Sequence, residues 1–250
     1  MIFKQLFEPE SSTYTYLVHC PDTGETALID PVLETAERDL SVVNDMGLRL
    51  TYTVETHVHA DHITGARKLQ SLAGAKIAGA AADELPCRDI GLREGEPLRV
   101  GNIELHPLFT PGHTDTHYAY LIDDGTHQMV FTGDALLIDG CGRTDFQAGD
   151  PATLYRSIHE KLFTLPDETL VYPGHDYHQR LVSSIGQEKK RNPRLGQGNT
   201  LEEFTEIMNG LNLPYPKKID FAVPGNEQCG SCPDNVPDEM RRLCDVSEQG

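Results

Sequence analysis

In the stretch Thr56-His57-Val58-His59-Ala60-Asp61-His62, four side chains able to hold a metal fall within six positions. His57 and His59 are two residues apart, so they share a side on a strand end but diverge on a helix. A helical site of the HExxH kind is therefore excluded. The apolar run "LTYTVET" before His57 supplies a strand, which puts the motif on the loop at its C-terminal end. Three other places repeat the pattern of apolar strand, glycine turn and metal-capable residue: "LFTPGH" ending in His113, "VFTGD" ending in Asp134 and "LVYPGH" ending in His175. His57, His59, Asp61, His62, His113, Asp134 and His175 thus read as one site distributed over strand-end loops. Imidazoles and carboxylates without clustered thiolates point to zinc, iron or manganese. His19, His106, His117, His127, His159 and His178 lack such a context and read as surface or satisfied core residues.

The elements that must position these residues follow from short β-rich runs bounded by turn residues. "TYTYLVHC", "TALIDP", "LTYTVETH", "AKIAGA", "IELHPLFTPG", "HYAYLIDD" and "QMVFTGD" all have strand length. Helical spacing covers 33–47, 63–72, 152–165, 179–191 and 201–211. Strands with helices between and after them imply a mixed, layered α+β domain over residues 1–191. From 192 to 250 the chain turns rich in Pro, Gly and Asn, and reads as an extension wrapped on that same domain.

With a net charge of −18, the chain repels phosphate backbones and anionic lipid, so neither nucleic acid nor a membrane is an expected partner. No run approaches the roughly 20 apolar residues of a membrane span. The start "MIFKQLFEPESSTYTY" lacks the apolar core of a signal peptide. A soluble protein of the cytoplasm is the expectation. The six cysteines are too sparse for a disulfide scaffold and fit reduced thiols. Cys141, between two glycines, reads as a small packed residue, and "CGSC" at 229–232 has CxxC spacing without the flanking elements of a redox motif.

"THVHADH", "TPGH", "TGD" and "YPGH", in that order, resemble the metallo-β-lactamase superfamily. The resemblance implies a four-layer αββα sandwich with a short C-terminal extension. "HADHITGA", "TGDALLIDGCGRTDFQAGDPATLYRSI", "YPGHDY", "EKKRNPRL" and "LNLPYPKKIDFAVPGN" narrow it to the persulfide dioxygenases. The hydroxyacylglutathione hydrolases share "GCGR", but they carry a larger residue where Ala60 stands and continue into a larger helical domain.

What the resemblance implies about chemistry is specific. One Fe(II) per chain is held by His57, His113 and Asp134, while His59, Asp61, His62 and His175 touch and orient those ligands rather than the ion. Glutathione persulfide and dioxygen are the implied substrates, with sulfite and glutathione as products. Arg143 and Tyr177 match family positions beside the substrate, and Arg194 is a further carboxylate anchor. The alternative for Arg143 and Arg194 is an ion pair that shapes the loop. A dizinc hydroxyacylglutathione hydrolase and a non-catalytic, metal-stabilised binding protein are the rival readings. A homodimer and a sulfurtransferase on a separate chain are the candidate partners.

Overall fold

The computed structural model describes residues 1–244; residues 245–250 of the expected extension lie outside them. The chain divides into two compact units. One comprises Met1–Gly91, Arg99–Ile103 and the chain from Tyr215, and the other comprises Leu92–Leu98 and Glu104–Pro214.

A six-stranded sheet runs in the order β1-β2-β3-β4-β5-β6. Its strands are β1 Ile2–Glu8, β2 Thr13–His19, β3 Glu25–Ile29, β4 Arg49–Val54, β5 Lys76–Ala80 and β6 Ile90–Leu92. β1, β2 and β3 are antiparallel neighbours, whereas β3, β4 and β5 are parallel. Parallel neighbours need crossovers, and helices α1 (Ala36–Asp45) and α2 (Ala66–Ala73) supply them. Gly47 and Gly74, both left-handed, stop these helices. Every residue of β2 is buried, so its Thr and Tyr side chains lie in the interior on both faces of the strand.

A second sheet has the order β12-β11-β10-β9-β8-β7. It contains β7 Leu98–Val100, β8 Ile103–Phe109, β9 Tyr118–Asp123, β10 Gln128–Gly133, β11 Leu170–Pro173 and β12 Ser183–Ser184. β9 is antiparallel to both β8 and β10, and β11 is parallel to β10. Helix α3 (Pro151–Ser157) opens on Asp150, whose carboxylate accepts the Thr153 N–H at 2.7 Å. Its buried Leu154, with Ile158 and Leu162 beyond it, packs in one core with Phe204 and Met208 of α5 (Leu201–Asn209).

The helix anticipated over 179–191 is shorter. Gln179 sits at φ 56°, and Ser183–Ser184 pair with β11, so the helix α4 spans Ile185–Arg191 with Ser184 as its cap. The extension is more helical than its composition suggests: α6 covers Ile219–Asn226 despite Pro224, and α7 covers Asp238–Cys244. Phe221, Ala222, Val236 and Met240 pack against Leu33 and Ile63 of the first unit. Reduced thiols are also corrected. Cys87 is joined to Cys229 and Cys232 to Cys244, leaving buried Cys20 and Cys141 as the free thiols among the described residues. The two cysteines of "CGSC" thus bond to other partners, because their loop faces Cys87 on one side and α7 on the other. No helix among the described residues is long and apolar enough to cross a membrane.

Cys87→Ser opens a closure of 142 residues and should lower unfolding stability by about 2–4 kcal/mol. Urea denaturation checks this: the loss is expected without reductant and should disappear when both proteins are reduced.

Candidate metal centre

In the first unit, β3 and β4 lie side by side with Ile29 opposite Val54, so their C-terminal ends bring Asp30 next to Thr56. Asp30 turns at φ 50° and is buried. Its Oδ1 accepts the Thr56 backbone N–H at 2.7 Å, and its Oδ2 accepts the Thr56 hydroxyl at 2.9 Å. Having given its one hydrogen to Asp30, Thr56 Oγ1 accepts from His57 Nδ1 at 2.9 Å. That contact holds the ring as its Nδ1–H tautomer and makes Nε2 the atom with a lone pair to offer a metal.

His59 continues the same network. Its Nε2 lies 3.2 Å from Asp30 Oδ1 and 3.5 Å from Glu55 Oε2. Burial disfavours a charge on His59, but the Asp30 carboxylate, then Glu55, outweigh it and push its pKa up to about 10. His62 Nδ1 lies 2.9 Å from Asp61 Oδ2. His59, Asp61 and His62 each present an atom within 4.8 Å of the others. Among the described residues, the buried His59 Nδ1 and His62 Nε2 have no hydrogen-bond partner. A buried nitrogen in that condition suits an ordered water, or a cation once its proton is gone, a loss that the carboxylates beside His59 oppose.

In the second unit, the same device recurs with β10 and β11. Gly133 stands opposite Pro173, and the Gly174 N–H donates to Gly133 O at 2.8 Å, which sets Asp134 beside His175. His175 Nδ1 lies 2.6 Å from Asp134 Oδ1. A Cβ on Gly174 would fall 2.7 Å from that same oxygen, so glycine is what allows the approach. His113, past the end of β8, donates from Nδ1 to the Arg143 carbonyl at 2.7 Å. Its Nε2, left with the lone pair, is 3.7 Å from Asp134 Oδ2. Gly142 is also required by contact, since a Cβ there would lie 2.4 Å from Asp134 O and 2.7 Å from His113 Nδ1.

The donor chemistry therefore fits a metal in each unit's own terms: lone pairs on imidazole nitrogens, a carboxylate held by a hydrogen-bond partner, and tautomers set by oxygen acceptors. His175 and Asp134 are brought together, as are His113 and Asp134, and separately His59, Asp61 and His62.

The substrate-side residues are more varied. Arg143 makes a forked pair with Asp145, at 2.6 Å through Nε and 2.7 Å through Nη2, and donates from Nη1 to Pro214 O. Its guanidinium holds the Asp145 carboxyl below the usual carboxylate range. This loop-shaping role is the alternative weighed for Arg143, and its carbonyl carries His113. Arg194 donates to the Cys141 carbonyl at 3.0 Å, tying its own segment to the loop that carries Arg143. Tyr177 is 72% exposed and stacks on His175 with ring centroids 6.2 Å apart, which leaves its hydroxyl near the surface. Cys141 is a packed thiol beside Met208, pushed up to about 11 by burial, so it stays protonated at neutral pH.

Three participants were not singled out from the sequence. Asp30 ends an apolar strand in "TALID", the grammar of "VFTGD" without its glycine, and that signal was available. Thr56 carries no pattern of its own. His117, read as a satisfied core residue, is one: it lies fully buried and accepts the Asp134 backbone N–H at 3.2 Å, with Thr110 at 2.9 Å on its other nitrogen. Its position beneath Asp134 has no sequence signature.

A family model for the metallo-β-lactamase superfamily matches residues 9–175. The chain is 49% identical over 236 residues to the mitochondrial persulfide dioxygenase ETHE1 of Homo sapiens, covering 92% of this chain and 89% of that protein. The crystal structure of ETHE1 from Myxococcus xanthus matches with a TM-score of 0.88 at 53% identity, covering 92% of this chain and all of that one. A hydroxyacylglutathione hydrolase of Cereibacter sphaeroides is 40% identical over 169 residues, which is 67% of this chain and 64% of that protein.

Thr56→Val keeps the shape but leaves Asp30 Oδ2 and His57 Nδ1 without their bridge. The expected cost is about 1–3 kcal/mol of stability, with metal affinity reduced about 10–100-fold. Denaturant titration and chelator competition measure the two effects separately.

Proposed function

Because the chain belongs to the metallo-β-lactamase superfamily and, within it, to the persulfide dioxygenases, we propose that its metal is a single Fe(II) held by His57, His113 and Asp134. The fold is accordingly the superfamily's layered α+β sandwich, and the enzyme is an oxygen-using oxidoreductase that acts on a persulfide. The finer reading is glutathione persulfide plus dioxygen and water going to glutathione and sulfite. One observation carries it most directly: identity to the persulfide dioxygenases runs over 92% of the chain, whereas the hydrolase match stops at 67%.

A ferrous ion held by two imidazoles and one carboxylate would supply the redox chemistry that joins dioxygen to a persulfide sulfur. The chain's residues do the rest. His57 and His113 present Nε2 because Thr56 Oγ1 and the Arg143 carbonyl take their Nδ1 hydrogens. Asp134 is aimed by the hydrogen bond from His175. His59, Asp61 and His62 keep the geometry of a second donor set, one carboxylate-bound imidazole beside another. Tyr177, Arg143 and Arg194 stand on the substrate side of this reading. The main chain of Arg143 fixes His113, while Tyr177 offers an exposed hydroxyl to a polar tripeptide. A sulfurtransferase on a separate chain would deliver the persulfide, and a homodimer is the candidate assembly.

The retained donor set of His59, Asp61 and His62 is the observation that favours the rival dizinc hydrolase. Metal analysis of anaerobically prepared protein, combined with oxygen uptake on adding glutathione persulfide, separates the two. About one iron per chain is expected, with activity lost on chelation and restored by Fe(II) but not Zn(II). Full activity in an iron-free zinc form would refute the reading.

A further inference from the structure

Asn226 closes α6, in the C-terminal extension, and its side chain is buried. The amide makes three hydrogen bonds, all to the loop that carries the histidine motif. Oδ1 accepts the Thr64 backbone N–H at 2.8 Å, and Nδ2 donates to the carbonyls of His59 and His62, both at 2.8 Å. Two acceptors and one donor face it, so only one orientation of the amide satisfies them all. Without this side chain, three buried main-chain groups of the loop would lose their partner, each at a cost well above that of an exposed group.

The contact is built into its surroundings. The opposite side of the loop is held by residues 31–33, where Leu33 N–H donates to Ile63 O and Gly65 N–H to Pro31 O, both backbone contacts. On the Asn226 side, Gly230 sits at φ 93° with the place of a Cβ only 2.3 Å from Thr64 O, so the extension can approach this closely only through glycine. Cys229 O accepts the Arg67 N–H at 3.1 Å, and its sulfur is bonded to Cys87. The extension therefore reaches the motif through one polar group backed by a covalent anchor three residues on.

We propose that Asn226 is a positioning residue for the metal centre, setting the backbone of His59 and His62 and through them the donor set that surrounds the ligands. This rests on the metal-centre reading above, but not on which metal fills it. Asn226 touches no reacting atom, so its effect is on how firmly the loop is held.

The test compares three full-length variants as purified with bound metal: Asn226→Ala, Asn226→Asp and Lys218→Met. Lys218 tethers the same extension through Glu10 and Glu34, each at 2.9 Å, away from the motif loop. Hydrogen exchange of the Thr64 amide and the rate of metal loss to a chelator are the readouts. Asn226→Ala should raise both by about tenfold or more. Asn226→Asp retains an acceptor for Thr64 N–H but no donors for the two carbonyls, so it should speed metal loss with less change at Thr64. Lys218→Met should lower the melting temperature and leave both readouts at wild-type values. If Asn226→Ala and Asn226→Asp lower only the melting temperature, like Lys218→Met, the residue merely anchors the extension and the proposal fails. Should Asn226→Ala not fold, the metal-loss rate of Asn226→Asp alone decides. Finding zinc in place of iron would overturn the dioxygenase assignment while leaving these readouts intact.

Discussion

The buried carboxylate of Asp30 is the constraint on which the histidine motif depends. A charge in the interior is tolerable only if hydrogen bonds replace its water. Asp30 finds them in the Thr56 N–H, the Thr56 hydroxyl and the His59 ring, all from the same loop. Satisfying the carboxylate and aligning the motif are thus one event. The Thr15 hydroxyl, donating to the Asp30 carbonyl at 2.8 Å, ties that residue back to the fully buried strand β2. What would be a liability in an apolar core becomes the pivot that fixes ring orientation one and three residues beyond Thr56.

Strand direction does comparable work in both units. A loop that leaves one strand can meet a loop from its neighbour only if the two strands end on the same side, and parallel pairing guarantees this. β3 with β4 gives Asp30 beside Thr56, and β10 with β11 gives Asp134 beside His175. β8 is separated from β10 by one antiparallel strand, so it ends on the same side too, and His113 joins Asp134. Chemistry collects at strand ends because register there is already set by the ladder behind it.

This explains which parts were legible. A metal-capable residue at the end of an apolar run is visible in sequence because period and turn chemistry are local, and His57, His113, Asp134 and His175 were read that way. The strands carrying them were equally visible, as were the helical stretches over 33–47 and 152–165 that hold α1 and most of α3. Groups that act through space were not. His117 beneath Asp134 and Thr56 between Asp30 and His57 look like ordinary core and strand residues until the tertiary fold supplies their partners. α6 was hidden because Pro224 argues against a helix, yet the residue lies within it and the burial of Phe221 and Ala222 outweighs the cost. The thiol pairing was illegible for a related reason: Cys87 and Cys229 are 142 positions apart, and spacing says nothing about who meets whom.

The Asn226 amide also has a meaning in time. Its hydrogen bonds bridge 162 to 167 positions of sequence, so the motif loop cannot be completed until Asn226 has been made. At a synthesis rate of roughly 5–20 residues per second, the histidines wait on the order of 10–30 s for their last support. A newly emerged His59 and His62 therefore face the cell as open donors in a half-closed loop, able to catch whichever cation arrives first.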